Sequence, residues 1–127
     1  MRQPDRLATA ILVVDDDDSI VELVKAFLEN AGHAVFVAGD GDAGLALFQQ
    51  HQPAISLVLT DVEMPRMNGL DMADRILRLD SDLPVLFMSG ANAAANRGYG
   101  CVAKPFHAAD LLARVGCALG AVQGIHP

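Results

Sequence analysis

Carboxylates follow two of the apolar runs in this chain. Asp15 to Asp18 are four consecutive aspartates directly after the apolar run of residues 11–14, and Asp61 follows a second apolar run. Neighbouring carboxylates raise one another's pKa and destabilise a fold unless a cation neutralises them. Hard divalent ions such as Mg²⁺ prefer oxygen ligands and keep several waters. The pattern therefore makes Asp15, Asp16 and Asp61 candidate ligands of a divalent cation.

A hydroxyl and an amine follow two later apolar runs. Ser89 follows the apolar run of residues 85–88, and Lys104 follows the short run of residues 101–103. Lys104 is one of two lysines in the chain, the other being Lys25. A lysine ammonium is a compact point charge that could hold a phosphoryl oxygen on the side that a metal leaves free. Ser89 and Lys104 therefore join the acids as candidate site residues.

The apolar runs themselves predict buried strands. Each is short, rich in Val, Ile, Leu or Phe, and continuous in its apolar character, as expected for strands that are covered on both faces. The five predicted strands are residues 10–14, 34–38, 55–60, 85–88 and 101–103.

Segments with a helical apolar period lie between or after the strands, at residues 20–31, 42–51, 70–79 and 108–119. Ser19-x-x-Glu22 has the form of a capping box for the first of them, and Gly120 would end the last. Acids are favoured at helix starts, so Asp17 and Asp18 are interpreted as a first-turn cap and solvated surface and not as ligands. Asp40 and Asp42 are interpreted as loop and cap residues of the second helix.

Strands that alternate with helices predict an α/β fold with one parallel sheet, helices on both faces and right-handed crossovers. Ligands of such sheets bind beyond the carboxyl ends of the strands, where the strand order reverses. Each candidate residue follows or ends a strand, so all of them should converge on this one edge.

Length and charge limit the function further. The 127 residues, 52% of them hydrophobic, suffice for one domain, here residues 10–119 between tails of 1–9 and 120–127. A net charge of −7 disfavours binding to nucleic acid or to anionic membranes. The first residues resemble no signal peptide, and we expect a cytoplasmic protein in which Cys101 and Cys117 are reduced thiols.

Four motifs in order, "ILVVDDDDSI", "LVLTDVEMPRMNGL", "FMSG" and "VAKPF", resemble the receiver domain of two-component response regulators, the CheY-like superfamily. The resemblance covers roughly residues 10–119. It implies a flavodoxin-like, doubly wound sheet of five parallel strands in the order 2-1-3-4-5. It also implies phosphorylation-dependent signalling, in which the domain catalyses only its own phosphorylation and dephosphorylation and then presents an altered face to an unknown downstream protein.

The resemblance also assigns roles to the candidate residues. Asp61 would accept a phosphoryl group from a phosphohistidine of a histidine kinase or phosphotransfer protein. Asp16 would bind Mg²⁺ directly and Asp15 through water, while Asp61 and the main-chain carbonyl of Glu63 complete the protein's ligands. Lys104, aimed by a cis Lys104–Pro105 peptide, and Ser89 would contact the phosphoryl oxygens.

Two features depart from the family pattern. Lys104 comes only 15 positions after Ser89, and residues 91–98 show no apolar stripe, so the family's fourth helix is expected to be short or disordered. Cys101 stands where receivers usually carry a switching aromatic residue, and Tyr99 is a possible substitute.

Two other functions fit part of the pattern. A haloacid dehalogenase-type phosphatase also places Asp-x-Asp after its first strand, but it needs a later acidic pair, and Asp110 is the only acid beyond Asp82. A receiver that serves as a docking module, without phosphorylation, is the second alternative.

Overall fold

The computed structural model of the chain describes residues 10–64, 66–89 and 100–123. The five strands in this part are β1 (Ala10–Val14), β2 (Ala34–Ala38), β3 (Ile55–Asp61), β4 (Val85–Ser89) and β5 (Gly100–Ala103). The α-helices are α1 (Asp18–Asn30), α2 (Gly41–His51), α3 (Gly69–Leu79) and α4 (Ala108–Gln123), and a short 3₁₀ turn (Gln52–Ala54) follows α2. No helix within these residues is long and apolar enough to cross a membrane.

The strands form one parallel sheet in the order β2-β1-β3-β4-β5, which confirms the predicted flavodoxin-like order 2-1-3-4-5. The strand order reverses between β1 and β3. In the register of the sheet, Val14 at the end of β1 lies beside Thr60 of β3, and Asp61 lies beside Met88 of β4. The residues that follow Val14 are therefore neighbours of Asp61 at the carboxyl edge.

Alternate residues of the central strands enter two apolar cores, one on each face of the sheet. In β1, Leu12 and Val14 point into the core that α2 and α3 cover, while Ile11 and Val13 point into the core that α1 and α4 cover. All of them are fully buried. These layers hold β1, β3 and β4 rigidly, and so fix where their carboxyl ends lie.

The prediction that every strand is buried on both faces is wrong for the two edge strands. Val37 of β2 is 37% exposed, and two of the four residues of β5 are exposed. Helices of this length cover the middle of the sheet better than its margins, so an apolar run at an edge keeps contact with solvent.

Aspartates begin two of the helices. Asp17 caps α1, where its Oδ1 accepts hydrogen bonds from the Ser19 amide at 2.9 Å and the Ser19 hydroxyl at 2.6 Å. The helix therefore begins before the capping box that the sequence suggested at Ser19. Asp40 caps α2 by accepting from the Ala43 amide at 2.8 Å. Both residues confirm the interpretation of Asp17 and Asp40 as caps.

The last helix continues beyond its predicted end. The helix α4 continues through Gly120 to Gln123, so four residues that were assigned to the tail of residues 120–127 are helical. Glycine inside a helix costs about 1 kcal/mol relative to alanine. That cost weakens a helix but does not forbid its continuation. The shortened fourth helix predicted for residues 91–98, and Tyr99, lie outside the described residues.

Close packing joins β3 to α3. The Gly69 amide donates to the carbonyl oxygen of Val62 at 2.7 Å. A Cβ on Gly69 would lie 3.0 Å from the carbonyl carbon of Asp61 and closer still to its oxygen, so glycine is needed here. Asn68 caps α3, with its side-chain oxygen accepting from the Asp71 amide at 2.8 Å. The start of α3 is thereby fixed against the end of β3.

We expect Asn68→Ala to lower the free energy of unfolding by about 1 kcal/mol, because it leaves the Asp71 amide without its cap. Asn68→Ser, which restores a capping oxygen, should retain most of that stability. Urea unfolding of the two variants and the wild type measures the difference. Equal losses for alanine and serine would show that the cap contributes nothing.

Candidate functional site

Three aspartates meet at the carboxyl edge of the sheet. Asp15 and Asp16 follow β1, and Asp61 ends the neighbouring β3. One carboxylate oxygen from each lies within 4.8 Å of the others. Asp15 is fully buried, Asp16 is exposed and Asp61 is partly buried. The structure thus brings together the three acids that the sequence selected as candidate ligands.

Lys104 enters the same cluster from β5. It is joined to Pro105 by the expected cis peptide bond. Its Nζ donates to Oδ2 of Asp15 at 2.9 Å and lies 3.6 Å from Oδ2 of Asp61. A buried carboxylate without a partner is strongly destabilising. Lys104 is therefore the counter-ion mainly of Asp15, the nearer carboxylate, and to a lesser extent of Asp61.

Backbone amides orient the carboxylates. Oδ1 of Asp15 accepts from the Asp17 amide at 2.9 Å, and Oδ1 of Asp61 accepts from the Val62 amide at 2.8 Å. The Thr60 hydroxyl donates to the carbonyl oxygen of Asp61 at 2.9 Å. Each donor is one or two residues from its acceptor, so local chain geometry fixes both side chains. Their Oδ2 atoms are left to face Lys104.

Burial and charge act in opposite directions on the two ionisable groups. Burial raises the pKa of Asp61, and the charge of Asp15 adds to that rise, while Lys104 offsets part of it. Burial acts to lower the pKa of Lys104, but its hydrogen bond to Asp15 and the charges of Asp15 and Asp61 outweigh it and raise the pKa. The Lys104 ammonium therefore stays charged, whereas the surroundings of Asp61 disfavour its charged form.

The donor set fits a hard divalent cation. Every candidate ligand is an oxygen, and the three carboxylates carry one anionic charge each against the single charge of Lys104. Mg²⁺ accepts such ligands and retains water in its other positions, which the exposure of Asp16 permits. The residues present therefore fit the metal that the resemblance implies.

Two further candidates are placed only in part. Ser89 ends β4, one residue beyond Met88, which pairs with Asp61, but its side chain lies outside the described part of the structure. Glu63 lies two residues after Asp61 with an exposed side chain. The roles given to the Ser89 hydroxyl and to the main-chain carbonyl of Glu63 stay predictions.

The sequence did not single out Arg66, which lies in the connection between β3 and α3. Its guanidinium forms ion pairs with Asp40 at 2.6 Å and with Asp42 at 3.5 Å. A hydrogen bond from the Ala43 amide, together with Arg66, lowers the pKa of Asp40. These partners are 24 and 26 residues from Arg66, and no local pattern links them. The acids at the start of α2 were interpreted only as cap and loop residues.

Comparison with known proteins gives a consistent result. A sequence model for the response regulator receiver domain matches residues 11–116. The uncharacterised transcriptional regulatory protein YcbL of Bacillus subtilis is 37% identical over 115 residues, which cover 85% of this chain and 50% of that protein. The DNA-binding response regulator MtrA of Mycolicibacterium smegmatis is 36% identical over 118 residues, covering 87% and 50%. The chain thus spans about half the length of these relatives.

The fold is also similar to solved structures. The crystal structure of a response regulator receiver domain protein from Clostridium thermocellum superimposes with a TM-score of 0.84 at 27% identity. The match covers 93% of this chain and 99% of that one.

In metal-free protein we expect Asp61→Asn to raise the free energy of unfolding at neutral pH. The folded chain binds the Asp61 proton more tightly than the unfolded chain, because the pKa is raised, so ionisation of Asp61 opposes folding. That cost is fully present above the raised pKa and vanishes below about pH 4, the ordinary value. The gain from Asp61→Asn should therefore shrink on acidification through this window.

Urea unfolding in the presence of a chelator, repeated across this pH range, measures the gain. Asp18→Asn serves as the control, because Asp18 lies in the first turn of α1 and outside the cluster. A gain for Asp61→Asn that grows on acidification would contradict the assignment of its pKa shift.

Proposed function

The chain belongs to the response regulator receiver domain family, and from this we propose that Asp61 accepts a phosphoryl group from the phosphohistidine of a histidine kinase or phosphotransfer protein. The observation that carries the proposal is the cluster itself. Asp61 lies at the switch point of the sheet, beside Asp15 and Asp16 and 3.6 Å from Lys104. The family match disfavours the phosphatase alternative.

Asp61 acts as the nucleophile. Its Oδ1 is held by the Val62 amide, and we assign the attack to Oδ2, which faces Lys104. The new bond joins this oxygen to phosphorus as the P–N bond of the phosphohistidine breaks, and the electron pair of that bond returns to the ring nitrogen of the donor. The other ring nitrogen of the donor carries a proton, so the histidine leaves as neutral imidazole and the chain carries an acyl phosphate.

Asp15, Asp16, Asp61 and the main-chain carbonyl of Glu63 would hold Mg²⁺. When bound, the ion supplies positive charge to the carboxylates and to a phosphoryl oxygen. The side chains need only hold the reactants in line, because phosphoryl transfer is catalysed mainly by positioning and charge. We assign Asp16 to direct ligation, since it is exposed, and the buried Asp15 to contact through water.

Lys104 has two uses in this proposal. Without a metal its ammonium neutralises Asp15, the nearer carboxylate. With that carboxylate neutralised by the cation, the ammonium can turn to a phosphoryl oxygen and stabilise the charge that develops there. The Ser89 hydroxyl would donate to a further oxygen of the same group.

The acyl phosphate is the signal. Phosphorylation adds up to two negative charges at Asp61, and the Ser89 hydroxyl and Lys104 are drawn to it. The face made by β4, β5 and α4 then shifts between pre-existing states, and a downstream protein binds one of them. We propose that the domain acts in the cytoplasm and, with a net charge of −7, makes no contact of its own with nucleic acid.

Incubation of the chain with acetyl phosphate and Mg²⁺ should add the mass of one phosphoryl group, and Asp61→Asn should abolish the addition. Lys104→Met should slow it about a hundredfold, because one donor to the developing charge is lost. Lys25→Met, at the only other lysine, should leave the rate unchanged. Intact-mass spectrometry over time measures all four proteins.

A wild-type chain that gains no mass, and that shows no Asp61-dependent spectral change with beryllofluoride and Mg²⁺, would contradict the proposal. That result would favour a docking module that works without phosphate.

Asp16→Asn should weaken Mg²⁺ binding at least about tenfold, since it removes a charged direct ligand, whereas Asp18→Asn should change it little. The two substitutions remove the same charge two residues apart, one inside the cluster and one at the start of α1. Calorimetric titration with Mg²⁺ compares them. Equal effects would show that the aspartates act only through their summed charge.

A further inference from the structure

Arg66 joins the connection between β3 and α3 to the start of α2. Its Nη2 lies 2.6 Å from Oδ2 of Asp40, and its Nε lies 3.5 Å from Oδ2 of Asp42. We call these three residues the Arg66 clamp, and the described residues 62–64 and 66–68 the β3–α3 loop. Asp40 is itself fixed by the Ala43 amide at the start of α2. The clamp therefore ties the loop to a rigid helix.

The backbone of Arg66 needs such a contact. Its φ of 66° lies in the left-handed region, which residues with a Cβ adopt at a cost and keep only where surrounding contacts hold them. The side chain itself is 66% exposed, so it is not held by burial. The carboxylates of Asp40 and Asp42 are the ion-pair partners of its guanidinium.

Packing supports the same junction. Gly41, between the two acids of the clamp, is buried against Met67, the neighbour of Arg66. A Cβ on Gly41 would lie 2.8 Å from Cβ of Met67 and would collide with its carbonyl oxygen. Glycine therefore lets the loop approach the start of α2 closely enough for Arg66 to reach both acids.

The other end of the loop belongs to the functional site. The loop starts directly after Asp61, and the Val62 amide donates to Asp61 Oδ1. The Gly69 amide closes the loop by donating to the Val62 carbonyl oxygen at 2.7 Å. Glu63, whose carbonyl is a proposed ligand, lies between these fixed points. Arg66 lies between the same fixed points, three positions after Glu63.

We propose that the Arg66 clamp positions the β3–α3 loop for Mg²⁺ binding. Arg66, Asp40 and Asp42 hold the far half of the loop against α2, so that the near half presents the Glu63 carbonyl beside Asp61 before the ion arrives. The inference rests on the proposed function, since it assigns a positioning role for the metal that phosphorylation needs. Arg66 itself touches neither the metal nor the phosphoryl group.

If Arg66 acted only through its charge, its removal would strengthen Mg²⁺ binding and not weaken it. The chain carries a net charge of −7, and removal of a cationic side chain should strengthen its attraction for a divalent cation. If Arg66 positions the loop, its removal should weaken Mg²⁺ binding in spite of that gain. The two mechanisms therefore differ in the sign of the effect.

The experiment compares Arg66→Met with Arg78→Met in the full chain, by calorimetric titration with Mg²⁺. Arg78 is exposed in the last turn of α3, at the end away from the site, so its substitution removes the same charge without touching the loop. We expect Arg66→Met to weaken Mg²⁺ binding about two- to fivefold, the range of an exposed ion pair. Arg78→Met should leave the affinity unchanged or slightly raised.

A second measurement needs no metal. Hydrogen exchange of the Gly69 amide, which donates to Val62, reports whether the loop is closed. We expect it to be about two- to fivefold faster in metal-free Arg66→Met than in the wild type, while amides of the central strands are unchanged. Arg66→Lys, which retains the charge, should recover part of the effect.

A double-mutant cycle assigns the effect to the clamp. Asp40→Asn keeps a capping oxygen for Ala43 but removes the charge that Arg66 contacts. In an Asp40→Asn background, Arg66→Met should weaken Mg²⁺ binding less than it does in the wild type.

The inference would be overturned if Arg66→Met bound Mg²⁺ as tightly as the wild type or more tightly, which is the result expected for Arg78→Met. Unchanged exchange at Gly69 would overturn it as well. A wild-type chain that binds no Mg²⁺ would overturn the proposed function and this inference together. A failure of the clamp alone would leave both Mg²⁺ binding and phosphorylation of Asp61 intact in Arg66→Met.

Discussion

The charge of Asp15 is the constraint on which the site depends. This carboxylate is fully buried at the end of β1, where an unpaired charge would be strongly destabilising. Lys104, 89 residues later in the chain, comes within 2.9 Å of it. The pair spans β3 and β4, which separate β1 from β5 in the sheet. The contact can form only if β1, β3, β4 and β5 all take their places, so the site is assembled by four strands of the sheet and not by any one segment.

The same edge carries more negative charge than Lys104 can balance. One carboxylate oxygen of Asp16 and one of Asp61 lie within 4.8 Å of one of Asp15, and burial, with the charge of Asp15, raises the pKa of Asp61. Such a cluster lowers the stability of the apo fold, and a purely structural edge would gain from replacing one acid with a neutral residue. The sheet tolerates the cluster because β1, β3 and β4 are anchored in two apolar cores.

The sequence predicted the central features because they depend on local chemistry. The apolar runs predicted the first and last residues of β1 and β2 correctly. Because each candidate follows a predicted strand, the sequence also placed Asp15, Asp16, Asp61 and Lys104 at one edge. The exposure of the edge strands was not predicted, because it depends on which strands the helices cover in the folded chain. The end of α4 beyond Gly120 was not predicted either, because a single glycine weakens a helix without ending it. Nor did any sequence pattern pair Arg66 with Asp40, because ion pairs between distant segments are properties of the folded chain.

One ammonium serves two carboxylates at this edge. Lys104 is nearer to Asp15 than to Asp61, so its charge mainly offsets that of the buried Asp15. A cation that neutralised Asp15 would leave the Lys104 ammonium available to Asp61. The buried pair of Asp15 and Lys104 therefore does more than stabilise the fold. It holds Lys104, the only lysine besides Lys25 of α1, within reach of Asp61, the proposed phosphoacceptor.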